Sequence, residues 1–314
     1  MFVQVSMVTF YNISDWEEKE YFNTGGTRNK VVVENTKDEK SYFFKTSLNK
    51  KEKNYTYEFW SEVIASEVGQ LLGFNVLQYD VAVNKQTLGC LSKSMIDLSN
   101  EEQLIEGYKW LKQYQPSYDV ENRKAYTFQL IEATLRNLFN DRKFINDIIS
   151  TLIFDCIIGN EDRHQENWGI IVSTHRIGDD IKKSYAFAPI YDSGSSLGRE
   201  LREEKIKQML SDTIQLDAYV SRGKSEVHWE GEDGKQRHYE LLRKIAQTGY
   251  KSFIAKEINR IRKLYDKEKI MSIIHHIDDC LPKSFEAEKI PENRKNLLTK
   301  LLTLRIERLL SETL

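Results

Sequence analysis

The spacing of apolar residues changes along the chain, and the change divides it. Up to about Leu91, β-branched and aromatic residues come in short runs, Val31–Val33, Tyr42–Phe44 and Val76–Val83, separated by polar turns. That is the pattern of strands. One segment departs from it. From Tyr57 to Leu72, the residues Trp60, Ile64, Val68, Leu71 and Leu72 recur at helical spacing, and Gly73 follows as a stop. After Asp97 the period is helical over Glu101–Gln113, Ala125–Asn140 and Asp141–Ile158, and again over Tyr250–Leu264, Lys267–Cys280 and Pro291–Leu310. Between these groups the helical text stops at Gly159-Asn160. Asn167–Val172 and Tyr185–Ile190 then read as two short strands around a polar loop, a hairpin that returns Tyr191 and Asp192 to the segment before Asn167. Gly223–Gln236 reads as a polar surface loop. The pattern predicts an α+β chain, with a small β-rich part carrying one helix over 1–95 and a larger, mainly helical part over 96–314.

Composition narrows the class. A chain of 314 residues that is 40% hydrophobic and 11% aromatic is globular, which excludes a largely disordered protein. Lys and Arg number 46 against 48 Asp and Glu, so no global basic field recruits nucleic acid or anionic membrane, and neither partner is expected. The basic C-terminal helix, with Lys295, Lys300, Arg305 and Arg308 opposite Leu298, Leu301, Leu302 and Leu309, is read as the solvated face of a core helix. Cys90, Cys156 and Cys280 are too few and too scattered for a disulfide framework or a zinc site. The first residues show no signal-peptide pattern, and the most apolar stretch, Leu152–Ile158, is broken by Asp155 and far short of the ~20 residues that span a bilayer. A cytoplasmic location is expected, with signal-independent secretion as the alternative, and the sequons at Asn12 and Asn54 are read as chance matches.

The densest chemistry lies in GNEDRHQENWG (159–169) and APIYDSG (188–194). Asp162 and Asn167 have the D-x-x-x-x-N spacing of a kinase catalytic loop, where the Asp takes the hydroxyl proton and the Asn holds magnesium. Asp192, across the hairpin, supplies the carboxylate that a second Mg²⁺ contact requires. Phosphoryl transfer also needs a strand lysine for the phosphates and a helical glutamate to hold it. Lys45 ends the strand SYFFK, and Glu62 lies in the following helix, with Glu58 and Glu67 as rivals. Gly25, Gly26, Thr27 and Lys30 precede the strand at Val31, where a loop covering phosphates belongs. Lys93, Ser94 and Met95 form the connecting segment. His164, two residues after Asp162, either orients the loop or lies on the surface. Arg163 pairs either with a loop phosphate or with a nearby carboxylate.

These residues resemble the HipA-like kinase family, and within it the short CtkA-type members, through a G-N-x-D-R-H-x-x-N-W-G loop and an A-P-I-x-D-x-G-S segment. The resemblance implies a two-lobed protein-kinase-like fold that uses ATP and Mg²⁺ to phosphorylate Ser or Thr. It implies that Asp162 is the base, Asn167 and Asp192 hold magnesium, Lys45 binds phosphate, and Lys93, Ser94 and Met95 receive adenine. It also implies autophosphorylation of the glycine loop, at Thr24 or Thr27. Without an H-R-D before Asp162 or an A-P-E after Asp192, the chain is not an ordinary eukaryotic-type kinase. The D-R-H-x-x-N text is also that of phosphatidylinositol kinases, so lipid is the alternative acceptor, and a nucleotide-binding pseudokinase is the non-enzymatic alternative. An antitoxin-type partner stays open.

Overall fold

The computed structural model describes residues 8–19, 30–50, 53–97 and 101–312. The first part holds β1 (Phe10–Asn12), β2 (Glu17–Glu18), β3 (Lys30–Asn35), β4 (Lys40–Lys45), β5 (Asn49–Lys50), β6 (Lys53–Asn54), α1 (Glu58–Leu71), β7 (Asp80–Asn84) and β8 (Thr87–Lys93). Six of these strands make one sheet in the order β1-β7-β8-β4-β3-β2, while β5 and β6 pair only with each other. Neighbours in the sheet are antiparallel except β1 and β7, which run parallel. Alternation along the strands gives the sheet two faces. Ile13, Val33, Phe44, Ala82 and Leu91 close a small cluster on one face. Val81 and Cys90 belong instead to the main core with α1. That helix is buried on nearly every side, from Glu58 to Gly69, because it is enclosed between the sheet and the helices that follow.

The rest comprises β9 (Glu102–Glu106), α2 (Gly107–Tyr114), α3 (Phe128–Phe139), α4 (Lys143–Ile158), β10 (Gly169–Ile177), β11 (Asp180–Phe187), α5 (Glu203–Ser211), α6 (Thr213–Arg222), α7 (His238–Ile245), α8 (Lys251–Leu264), α9 (Lys267–His276) and α10 (Glu292–Ser311). At the centre runs α4, with Ile145, Ile149, Ile153, Phe154 and Ile157 fully buried. It ends where the sequence indicates, on Gly159 in the left-handed conformation (φ 67°). Cys90 and Cys156 are buried and Cys280 half-buried, all as free thiols.

Several expectations need correction. Glu101–Gln113 is not one helix: Glu102–Glu106 form β9, paired antiparallel with β10, and α2 starts only at Gly107. The pairing partner lies some sixty residues away, and a tertiary ladder overrides local periodicity. Val76–Val83 is not one strand either, because β7 begins at Asp80 and Val76 makes a separate parallel bridge to Ile190. The β10–β11 hairpin is longer towards its tip, and Asn167 and Trp168 stay in the loop. Gly223–Gln236 is irregular but not superficial. Ser225, Glu226, Val227 and His228 are buried, and the Glu226 carboxylate is gripped by Arg123 (3.0 Å) and Lys235. The basic face of α10 is solvated only in part, with Lys300 exposed. Lys295 is buried on Asp278 (2.6 Å), Arg305 is buried with a bond to the Cys156 carbonyl, and Arg308 reaches Ser221 and Asp217. Among the described residues, no helix is long and apolar enough to cross a membrane.

Candidate active site

The site grows from the end of α4. Asp155 is the one carboxylate in the apolar run Leu152–Ile158, and it is 1% exposed. A buried carboxylate needs partners, and the loop after Gly159 supplies them. Asn160 donates Nδ2 to Asp155 Oδ1 (3.0 Å), and Arg163 donates Nε to Oδ2 (3.0 Å) and Nη2 to Oδ1 (2.8 Å). The remaining Arg163 donors reach the carbonyls of Asn167 (2.9 Å) and Tyr191, and Ser193 Oγ (3.3 Å). Burial works against the Arg163 charge, but the Asp155 carboxylate overrides it and holds the guanidinium protonated. Arg163 thus pairs with a carboxylate and pins the loop to the segment around Asp192.

On this anchor Asp162 stands half-exposed. Its amide donates to Asn160 Oδ1 (3.2 Å), and Ser195 Oγ donates to Asp162 Oδ2 (3.2 Å). Asn167 is buried and donates Nδ2 to the Asp162 carbonyl (2.8 Å). Its own amide N–H goes to the His164 carbonyl (2.9 Å), which closes the loop. His164 is half-buried within it, and its Nδ1 accepts from Glu166 N (3.3 Å). Trp168 is buried below, stacked on Phe187 and donating Nε1–H to Tyr126 Oη (2.8 Å).

The second half of the site comes from the sheet and α1. On β4, Phe43 and Lys45 share a face, opposite to Phe44. The Lys45 ammonium sits between Glu62 of α1 and Asp192, 2.7 Å from Asp192 Oδ1 and in direct contact with Glu62 Oε1. Glu62 is fully buried and its other oxygen accepts from Ser193 N (2.7 Å). The rivals are placed elsewhere: Glu58 pairs with Arg199 and accepts from Leu48 N, and Glu67 lies further along α1. Asp192 itself has φ 54°, a left-handed conformation that Asp tolerates better than most residues and that clusters at functional positions. It is carried there by Ile190, whose backbone pairs with Asn75 and Leu77 ahead of β7. Tyr79 is a neighbour that the sequence reading did not single out. Its hydroxyl accepts from Asp192 N (3.4 Å), and burial, with Glu62 and Asp192 nearby, pushes its ionisation well up.

Around this centre, Lys30 lies directly opposite Lys45 in the β3–β4 register, with its ammonium 4.8 Å from the centre of the Phe43 ring. Lys93 ends β8 and is exposed, while Ser94 and Met95 are half-buried. The Ser94 amide donates to the Ser41 carbonyl (2.8 Å), and among the described residues none bonds the backbone of Met95. Gly25, Gly26 and Thr27, with Thr24, lie outside the described residues. Glu106, where β9 meets α2, adjoins the loop because Gly107 N and Tyr108 N donate to the carbonyls of Trp168 and Gln165. Burial and then Glu166 raise its carboxyl.

The donor set here is one carboxylate and one amide oxygen: Nδ2 of Asn167 is spent on the loop, which leaves Oδ1 for a cation. Hard oxygen donors fit Mg²⁺, which is commonly held by one or two protein ligands plus phosphates. Among the described residues no cluster of three or more His, Cys, Asp or Glu forms a self-sufficient cation cage.

Known proteins similar to this chain bear on its family and fold. The Helicobacter pylori serine/threonine-protein kinase CtkA is 23% identical over 234 residues, 72% of this chain and 68% of that protein. The crystal structure of the Helicobacter pylori proinflammatory kinase CtkA has a TM-score of 0.76, with 96% of this chain and 97% of that one covered at 23% identity, a likeness of fold. A HipA, HipB and operator DNA complex from Shewanella oneidensis MR-1 is more distant, at 13% identity and a TM-score of 0.47, covering 95% of this chain and 67% of that one. Residues 22–261, most of the chain, match the HipA-like C-terminal domain, and the chain belongs to that family, with an α+β, two-lobed, kinase-like fold.

Proposed function

We propose that this chain is an ATP- and Mg²⁺-dependent Ser/Thr protein kinase of HipA/CtkA type. The observation that carries the reading is the Lys45 ammonium held between Glu62 and Asp192, on the turn that Arg163 ties to the Asp162–Asn167 loop. In this reading Lys45, kept in place by Glu62, takes the phosphates of ATP, with Lys30 beside it and Gly25, Gly26 and Thr27 covering them. Lys93, Ser94 and Met95 receive the adenine. Since the Ser94 amide is engaged, Met95 offers the backbone donor and acceptor that no described residue uses. The lobe boundary falls at 95/96. Asn167 and Asp192 would hold Mg²⁺, which when bound neutralises phosphate charge.

Asp162 receives the proton of the acceptor hydroxyl as its oxygen bonds to the γ-phosphorus and the bond to ADP breaks. The bond from Ser195 Oγ orients that carboxylate, and His164 keeps the loop closed. The acceptor is a Ser or Thr of a protein, and Thr24 or Thr27 of the chain's own glycine loop is a first candidate.

The test is incubation with labelled ATP and Mg²⁺, alone, with a generic basic protein and with phosphoinositide vesicles, beside Asp162→Asn. Label on protein that falls about 10²–10⁴-fold in the variant, with ATP-induced thermal stabilisation kept, is expected. Phosphopeptide mapping then checks the glycine loop. Label on lipid alone would replace the acceptor class. No label with ATP still bound would make the chain a pseudokinase.

A further inference from the structure

Asp192 holds a backbone conformation that its surroundings must enforce. Its φ of 54° is left-handed, and such a residue persists only where the structure around it over-determines it. Three side chains from three parts of the chain grip the backbone there. Arg163 donates to the Tyr191 carbonyl, and Glu62 Oε2 accepts from Ser193 N (2.7 Å). Between these two, the Asp192 amide donates to Tyr79 Oη (3.4 Å). Arg163 and Glu62 each serve a second partner as well, Asp155 and Lys45. Tyr79 is itself anchored at its other end. It is 7% exposed, and its own amide donates to Ser66 Oγ (3.3 Å), a hydroxyl fixed within α1 on the Val63 carbonyl (2.9 Å). Just before it, Leu77 N donates to the Ile190 carbonyl (2.9 Å) and Ile190 N to the Asn75 carbonyl (2.8 Å). The stretch ahead of β7 thus runs beside the chain that enters Asp192. Packing in the core needs only the ring of Tyr79. The hydroxyl is the part that meets Asp192, and without it a half-buried amide N–H at a strained turn loses an acceptor.

We propose that Tyr79 is a positioning residue for Asp192: its hydroxyl, by accepting from the Asp192 amide, keeps that residue left-handed and its carboxylate where it meets Lys45 (2.7 Å). Tyr79 acts through Asp192 and not on a substrate. Because it is bonded to Ser66 as well, it connects the placing of that carboxylate to the helix that carries Glu62. The consequence for Mg²⁺ rests on the function proposed above, in which Asp192 would hold the ion; the grip on the Asp192 backbone does not.

The experiment compares the full chain with Tyr79→Phe, which keeps the ring and removes the hydroxyl. Amide hydrogen exchange in peptides spanning residues 190–193, followed by mass spectrometry without nucleotide, should be about tenfold faster in the variant. Dissociation constants for ATP, taken from thermal shifts, should rise about fivefold to tenfold in the variant with Mg²⁺ and stay unchanged in EDTA. With Asp192→Asn in both chains, Tyr79→Phe should weaken ATP binding in Mg²⁺ no further. A residue that only stabilised the fold would shift the two ATP constants alike or leave both where they were. Unchanged exchange over 190–193, an ATP affinity that changes equally or not at all with and without Mg²⁺, or a further loss in the Asp192→Asn background would each overturn the role. A parent that binds no ATP would defeat the proposed function, and the exchange measurement would still decide whether Tyr79 holds Asp192.

Discussion

Arg163 shows what a single side chain contributes. Its guanidinium is buried, and it joins the end of α4 to both the catalytic-type loop and the turn at Asp192. Arg163→Met should cost about 3–5 kcal/mol in urea unfolding, because it strands the Asp155 carboxylate without a counter-charge. Asp155→Asn in the same background should recover part of that loss, and an unchanged double variant would show that the ion pair is not the cause. Half of this pair is legible in the sequence. Asp155 stands out as the lone acid in the apolar run Leu152–Ile158, whereas Arg163 reads equally as a phosphate ligand. Three of its partners are backbone carbonyls or a serine hydroxyl, which leave no mark in composition. Lys45 and Glu62 are found by spacing, but the choice among three glutamates on α1 needs the fold. Tyr79 goes unnoticed because a tyrosine at the start of a strand looks like packing.

At the scale of elements, regular helices with strong apolar periods are readable and long-range pairings are not. Local signals give α4 and its Gly159 end, and the existence of α1 and α10. β9 is missed because its ladder is with β10, and because its hydrophobic content also suits a helix. The junction of β9 and α2 carries a second constraint. A Cβ on Gly107 would lie 2.2 Å from the Trp168 ring, which is itself locked by Phe187 and Tyr126. Gly107→Ala should therefore destabilise by about 1–3 kcal/mol, read as a lower urea midpoint at constant slope. It should also disturb the loop that carries Asn167, since Gly107 N bonds the Trp168 carbonyl. An alanine variant with an unchanged midpoint would mean that α2 shifts freely. The charged face of α10 misleads for a different reason. Lys295 and Arg305 are buried with partners just after α9 and on α4, and no periodicity distinguishes a paired buried cation from a solvated one.

For the molecule as a whole, one core runs from the face of the sheet through α1 and α4 to α10. Within the helical part His238 is buried, with Nε2 unpartnered among the described residues, and burial, with Arg305 nearby, pushes it down to about 3. In the unfolded chain it binds a proton below about 6.5, and in the folded chain only near 3, so the unfolded state is the one that gains protons on acidification. Stability from this residue is complete above 6.5 and is lost at up to about 1.4 kcal/mol per pH unit as the pH falls below it. Melting temperatures of the parent and His238→Gln at pH 7 and pH 5 check this. The parent should lose more on acidification than the variant, and parallel curves would assign the acid sensitivity elsewhere.

The same core holds α1 from both lobes. The first turn of α1 is tied by Glu58 to Arg199, while Tyr57 lies under Arg294 and the helix packs on α9. α1 is thus fastened on both sides, to β8 of the sheet and to α9 of the larger lobe. Lys45 comes from the sheet, Glu62 from α1 and Asp192 from the turn after β11. One ammonium is therefore the rivet through three separately delivered segments.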